Sequence, residues 1–174
     1  MRILLIGKAG SGKSTLSEYI KTKYNFNRYS LGDNVKYFIS DMTKILNDIN
    51  PNIPLIKSKL LFDVETKKGY RQYMQKIGTE LCQGWFGKTI WCELLDKIID
   101  YNSNVVIDDC RFIHEYDYFK NNGFITIKIL RDGLLKYSHS SESEQDKIKA
   151  DYIIYNNSDI DELYRKFDAI IQNH

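Results

Sequence analysis

Between an apolar run, Ile3-Leu4-Leu5-Ile6, and an amphipathic one, Ser14 to Tyr24, lies Gly7-Lys8-Ala9-Gly10-Ser11-Gly12-Lys13-Ser14. Gly-x-x-x-x-Gly-Lys-[Ser/Thr] leaving a buried strand and opening a helix is the phosphate-binding P-loop pattern. A loop that wraps a polyphosphate turns its N–H groups inward and takes positive φ, which glycine does without steric cost. The helix that follows aims its unpaired N–H groups and positive dipole end at the same anion. The pattern assigns triphosphate contact to Gly7, Ala9, Gly10, Ser11, Gly12, Lys13, Ser14 and Thr15. Lys13 is to reach the β- and γ-phosphates, and the Ser14 hydroxyl is to ligate their Mg²⁺.

A P-loop must sit at the carboxyl end of a strand, so the rest of the chain is expected to build a sheet around that strand. Residues 2–6 read as a central parallel strand covered on both faces. Strands are expected again at 28–31, 105–109, 124–130 and 151–155, alternating with helices near 13–24, 34–49, 69–83, 88–101, after Arg111 and after Asp161. Leu55 to Lys68 has no clear period. The alternation predicts an α/β, three-layer P-loop NTPase fold: a five-stranded parallel sheet with helices on both faces and a helical lid. At 174 residues one domain is expected, with an acceptor-binding helical region near 33–101 and a lid at 131–150.

Composition narrows the partners. A net charge of +2 leaves no footprint for a nucleic-acid partner. Cys82, Cys92 and Cys110 lack metal-site spacing and read as buried thiols. No apolar run approaches the ~20 residues of a membrane span, so a cytoplasmic location without a membrane partner is expected. Exposed aromatics are compatible with a homodimer.

Two further segments carry candidate chemistry. At helical spacing, Tyr70, Met74, Ile77 and Leu81 form an expected core stripe, with Arg71, Gln75, Gly78 and Thr79 on the neighbouring face. A cation, an amide, a gap and a hydroxyl in line suit a polar ligand. Val105-Val106-Ile107-Asp108-Asp109 ends in two carboxylates, and such a strand beside the first supplies an acid to the Mg²⁺ shell. In the helix from 88 to 101, Trp91, Leu94, Leu95 and Ile98 are the expected core. The GTPase guanine-reading segment is not matched, because Asn156-Asn157-Ser158-Asp159 lacks its lysine.

Four segments resemble the deoxynucleoside monophosphate kinases of phages and large DNA viruses. Arg71-Gln72-Tyr73-Met74-Gln75-Lys76-Ile77-Gly78-Thr79-Glu80 with Trp91 resembles that family's Arg-x₃-Gln-x₂-Gly-Thr-Glu helix and downstream tryptophan. Asp109-Cys110-Arg111-Phe112 with Glu115 resembles its Asp-x-Arg-Phe-x-x-Glu segment. His139-Ser140-Ser141-Glu142 resembles its lid, and Asp151 to Ile154 with Asn156 its closing strand.

The resemblance implies ATP- and Mg²⁺-dependent phosphoryl transfer to a (deoxy)nucleoside 5′-monophosphate, for dNTP synthesis, in a host cytoplasm if the chain is viral. Its partners are then dNMP and ATP. Lys13, Arg71, Arg111 and Arg131 become the catalytic cations, with Arg131 also placed to stack on adenine or reach ATP phosphates. Gln75, Thr79 and Glu80 face the acceptor, and Trp85 or Trp91 forms an aromatic wall. Asp33, Lys36 and Glu142 complete the acceptor set, while Asp109 with Ser14 holds the metal. Two other readings stay open. One is a kinase of dephospho-coenzyme A, phosphomevalonate or an alcohol, with Asp33 as base. The other is an ATP-binding regulator without turnover.

Overall fold

A computed structural model describes residues 1–63, 65–134 and 140–172, with the side chains of Lys67 and of residues 140–143 outside that description. Lys136, His139 and the Glu142 side chain, all expected in a lid, therefore lie outside the described residues. In chain order the elements are β1 (Arg2–Ile6), α1 (Lys13–Tyr24), β2 (Asn27–Tyr29), α2 (Leu31–Ile49), α3 (Ser58–Phe62) and α4 (Lys67–Gln75). A π-helical stretch (Lys76–Gln83) continues α4 and leads into α5 (Gly84–Phe86) and α6 (Ile90–Asp96). Then come β3 (Val105–Cys110), α7 (Ile113–Asn121), β4 (Ile125–Leu130), α8 (Ser140–Lys147), β5 (Tyr152–Tyr155) and α9 (Ile160–Ile171). Met1–Ser30 with Ile98–His174 form one compact unit, and Leu31–Lys97 form another.

The first unit holds the sheet. Its strands are parallel in the order β2-β3-β1-β4-β5, as an α/β pattern with βαβ links requires. β1 is central, and Ile3 to Ile6 are wholly buried, which explains a strand without polar alternation. Leu16 and Ile20 of α1 and Leu163 and Phe167 of α9 close over Ile3, Leu5, Ile127, Ile129 and Ile154. Each such side chain contributes about 1.5–3 kcal/mol by leaving water. The two helices are also fastened at their rim. Tyr19 stacks on Tyr164 at 3.8 Å, and the Asp168 carboxylate accepts from Tyr19, Tyr24 and Lys23 at 2.7–2.9 Å.

The second unit is helical. α2 buries Ile39 and Thr43, and Phe38 meets Trp91 of α6 edge-on at 6.0 Å. The proline-bearing loop after α2 is held to it by Asn47, which donates to the Ile53 carbonyl at 2.7 Å, and by Thr43, which accepts from the Ile56 amide at 3.1 Å.

Several local expectations change. α2 begins at Leu31, so Asp33 lies in its first turn, where a carboxylate complements the helix dipole. The aperiodic stretch contains α3, too short to show a period. Gly84-Trp85-Phe86, beyond the expected end of the helix at 83, continues it. α6 ends at Asp96, and Leu94 and Ile98 are 41% and 59% exposed, leaving only Trp91 and Leu95 of the expected stripe buried.

Candidate active site

The P-loop has the backbone its glycines foretell. Gly7, Gly10 and Gly12 all take positive φ, and a Cβ on Gly7 would sit 2.5 Å from the Ile129 carbonyl oxygen. At Gly12 a Cβ would sit 2.5 Å from Asn156 Nδ2, and φ is +106°. Gly12, the N-cap, offers no side chain to the helix's first amides, and the first turn of α1 has no acidic residue. The positive end of α1 thus carries neither a capping side chain at Gly12 nor a carboxylate of its own first turn, an arrangement that suits an anion. Lys13 folds back over the loop, its ammonium donating to the carbonyls of Gly7 and Lys8. Ser14 and Thr15 are exposed, while Ser11 is 1% exposed.

Asn156 is the residue that local reading undervalues. Its amide group donates to the Ser11 carbonyl at 2.8 Å, and its backbone N–H to Leu130 at 2.7 Å. The end of β5 is thereby tied to the P-loop across the sheet. The closing-strand segment names Asn156, but only the strand order brings it to the P-loop.

The two carboxylates of β3 have different work because the strand slips. Leu4 pairs with Ile107 but Ile6 with Cys110, so Asp108 and Asp109 together face one residue of β1. Such bulges re-aim side chains beside functional sites. Asp108 is 3% exposed, and one of its oxygens accepts from Ser17 at 2.8 Å and from Arg28 at 2.6–2.7 Å. Burial, with the neighbouring Asp109 charge, raises its pKa, while Arg28 and Ser17 pull the other way. Asp109 is only partly buried and accepts from Ser30 at 2.7 Å. Asp108 is a structural anchor. Asp109 stands near the strand's end with its carboxylate on the Ser30 hydroxyl.

Arg111 leaves β3 at that same end and is exposed. Its backbone is fixed by Glu115, whose carboxylate accepts from the Arg111 and Phe112 amides at 2.7 and 3.1 Å. Burial pushes the Glu115 carboxyl up to about 7, against the pull of those amides. Arg131, also exposed, follows β4 with Nη1 3.5 Å from the Gly10 carbonyl, which sets it beside the P-loop. The last turn of α8 is tied down at three points. Asp146 pairs with Lys8 at 2.9 Å, Glu144 accepts from the Ile113 amide at 3.2 Å, and buried Lys128 donates to the Asp146 and Ile148 carbonyls. None of Arg28, Lys128, Glu144 or Asp146 carries a local sequence signal for these roles.

In the second unit the expected faces are redistributed. From residue 71 to 83 burial repeats every four residues. Met74, Gly78 and Cys82 form the inward column, and a Cβ on Gly78 would lie 3.1 Å from Val35 of α2. Gln72, Lys76 and Glu80 form an exposed column, and on another Tyr73 and Leu81 are exposed while Ile77 is half-buried. Arg71, Gln75 and Thr79 are partly buried in the fourth, which ends at Gln83, 8% exposed. The physical reason is the π-helical stretch: i→i+5 bonding turns roughly 85° per residue instead of 100°. A period of 3.6 therefore misplaces Leu81 as core. Gly78 is not a gap for ligand but a close approach of two helices, and its carbonyl accepts from the Trp91 indole at 2.8 Å. Glu80 falls a quarter-turn off the Arg71 column.

The remaining expected acceptor residues are dispersed within this unit. Trp91 is 4% exposed, so it braces the helix instead of offering a face, while Trp85 is 78% exposed. Asp33 pairs with Lys36 at 2.6 Å, and the Lys36 ammonium also lies 4.2 Å above the Phe62 ring.

Comparison with known proteins gives this geometry a family. No curated protein matches the chain by sequence. In structure the chain is similar to shikimate kinase from Aquifex aeolicus, with a TM-score of 0.57, 17% identity and coverage of 99% of this chain and 96% of that one. It is similar also to dephospho-CoA kinase from Campylobacter jejuni, with a TM-score of 0.50, 19% identity and coverage of 98% and 95%. At such identities these likenesses establish the P-loop kinase fold. The model of the deoxynucleotide monophosphate kinase family matches residues 43–167, a span that begins after the P-loop and so is independent of it. The chain belongs to the deoxynucleotide monophosphate kinase family.

Proposed function

We propose that the chain transfers the γ-phosphoryl group of ATP to the 5′-phosphate of a deoxynucleoside monophosphate, with Mg²⁺, and so feeds dNTP synthesis. The observation that carries this reading is the uncapped start of α1 under three positive-φ glycines, in a chain of this family. Main-chain amides of residues 7–14 hold the β- and γ-phosphates, and Lys13 moves from its loop carbonyls onto them. The acceptor phosphate is largely ionised at neutral pH, its second pKa being near 6, so no general base is needed. Its oxygen bonds to the γ-phosphorus as the bond to the β–γ bridging oxygen breaks, and ADP leaves. Catalysis then reduces to alignment and charge neutralisation.

Arg111 and Arg131, exposed at the ends of the two strands that flank β1, supply that neutralisation beside the P-loop. Arg71 holds the acceptor phosphate bidentately, and Gln75 and Thr79 contact its sugar or base. Hard oxygen donors suit Mg²⁺, and the exposed Ser14 hydroxyl with the Asp109 carboxylate fits that preference. Ser14 and Asp109 would hold such an ion, which would supply neutralisation of phosphate charge. Asp33 pairs with Lys36, which favours a structural part for it over that of a base toward an alcohol.

A coupled assay for ADP tests the reading with each dNMP, each NMP, shikimate and dephospho-CoA as acceptors. ADP formation that requires a deoxynucleoside monophosphate is expected. Turnover with an alcohol alone, or ATP binding without transfer to any acceptor, would contradict it. Among the described residues no helix is long and apolar enough to cross a membrane.

A further inference from the structure

The π-helical stretch brings one residue into the Arg71 column that an α-helix would carry away. With 100° per residue throughout, Gln83 would stand roughly 120° from Arg71 around the axis. With roughly 85° per residue from Lys76 onward, Gln83 returns to within about 20° of Arg71, after Gln75 and Thr79. The burial record agrees with the second geometry: Arg71, Gln75 and Thr79 are partly shielded, and Gln83 is 8% exposed while Glu80 and Leu81 between them are exposed. Buried glutamine amides are held in place by hydrogen bonds, and their paired donor and acceptor suit the edge of a nucleobase. Twelve residues of helix span up to ~18 Å, enough to separate a residue for the phosphate from one for the base. π-helical turns are rare and recur at functional sites, as expected where a side chain must be kept in line.

We propose that Gln83 is a specificity-determining residue whose side-chain amide contacts the base of the acceptor nucleotide, at the far end of the column that Arg71 begins. This rests on the proposed deoxynucleoside monophosphate kinase activity. Gln83 lies outside the Arg71 to Glu80 motif, and its assignment comes from helix geometry alone.

The test is steady-state kinetics of the full chain with dAMP, dCMP, dGMP and dTMP, for the wild type, Gln83→Met and Gln83→Glu. Methionine keeps the length and removes the amide. Glutamate keeps the shape and removes the donors. Expected is a rise in KM for the preferred dNMP of about tenfold or more in Gln83→Met, with kcat and the KM for ATP within about twofold, and a flattened order among the four bases. Gln83→Glu is expected to change that order. Unfolding melts of both variants accompany the kinetics, and direct binding of the preferred dNMP to whichever variant folds reads the same contact. An unchanged base order and dNMP affinity in a folded variant would overturn the assignment while leaving the kinase reading intact. A fall in kcat equal for all four bases would overturn it too, by showing a structural role. If the wild type phosphorylates no nucleoside monophosphate, both proposals fall.

Discussion

In the P-loop of residues 7–14 the groups offered to an anion are main-chain amides, held by the sheet. Along residues 71–83 they are side chains, held in line by the way a helix is wound. The first arrangement tolerates little at the backbone: a Cβ on Gly7 or Gly12 would come within 2.5 Å of other atoms. The second tolerates substitution at single positions but depends on the pitch of the whole segment. The contrast explains why each unit carries a different share of the work. On the proposed reading, backbone donors serve a triphosphate common to every turnover, and side chains serve an acceptor that must be chosen among similar molecules.

The largest expected effect lies in the first region. Lys13→Ala should lower kcat at least roughly 10³-fold while the melting curve is preserved, because the lost charge faces the transferring group. Near-normal turnover would remove the P-loop from the mechanism. In the second region Arg71→Ala should lower kcat/KM by about 2–4 kcal/mol when the acceptor is varied, with the KM for ATP little changed. An equal loss for ATP would show that Arg71 does not belong to the acceptor column.

Glu115, behind Arg111, offers a pH-dependent test. Its carboxyl titrates near 7 in the fold against 4.5 ordinarily, so the folded chain binds the extra proton between those values. Stability from this group is therefore greatest at low pH and declines as pH rises from 4.5 to 7, by on the order of 3 kcal/mol at most. Glu115→Gln keeps an acceptor for the Arg111 and Phe112 amides and should remove that decline, as urea unfolding at pH 5 and pH 8 would reveal. A smaller effect separates packing from ligand contact on the acceptor helix. Gly78→Leu should cost about 1–3 kcal/mol by meeting Val35, and Val35→Ala should restore part of it.

How much of this was legible in the sequence follows the same division. Strands and the P-loop are short-range patterns, so β1, α1 and β3 are legible from motif and period. The slip that parts Asp108 from Asp109 is a pairing property of two strands, and no period within one strand encodes it. Asn156 stands in the closing-strand segment, but its bond to the P-loop follows only from the strand order. Along residues 71–83 a 3.6-residue period assigns Leu81 to the core and treats Gly78 as a ligand gap, and both differ from the structure. Met74-Gly78-Cys82 and Arg71-Gln75-Thr79-Gln83, each at spacing four, were the signal that a wider helix would have explained.

A crystal structure with a non-hydrolysable ATP analogue and a deoxynucleoside monophosphate tests the central claim most directly. The account predicts the triphosphate wrapped by the amides of residues 7–14 and the acceptor's 5′-phosphate on the Arg71 guanidinium. A monophosphate bound away from Arg71, Gln75 and Thr79, or a triphosphate outside the turn before α1, would contradict it.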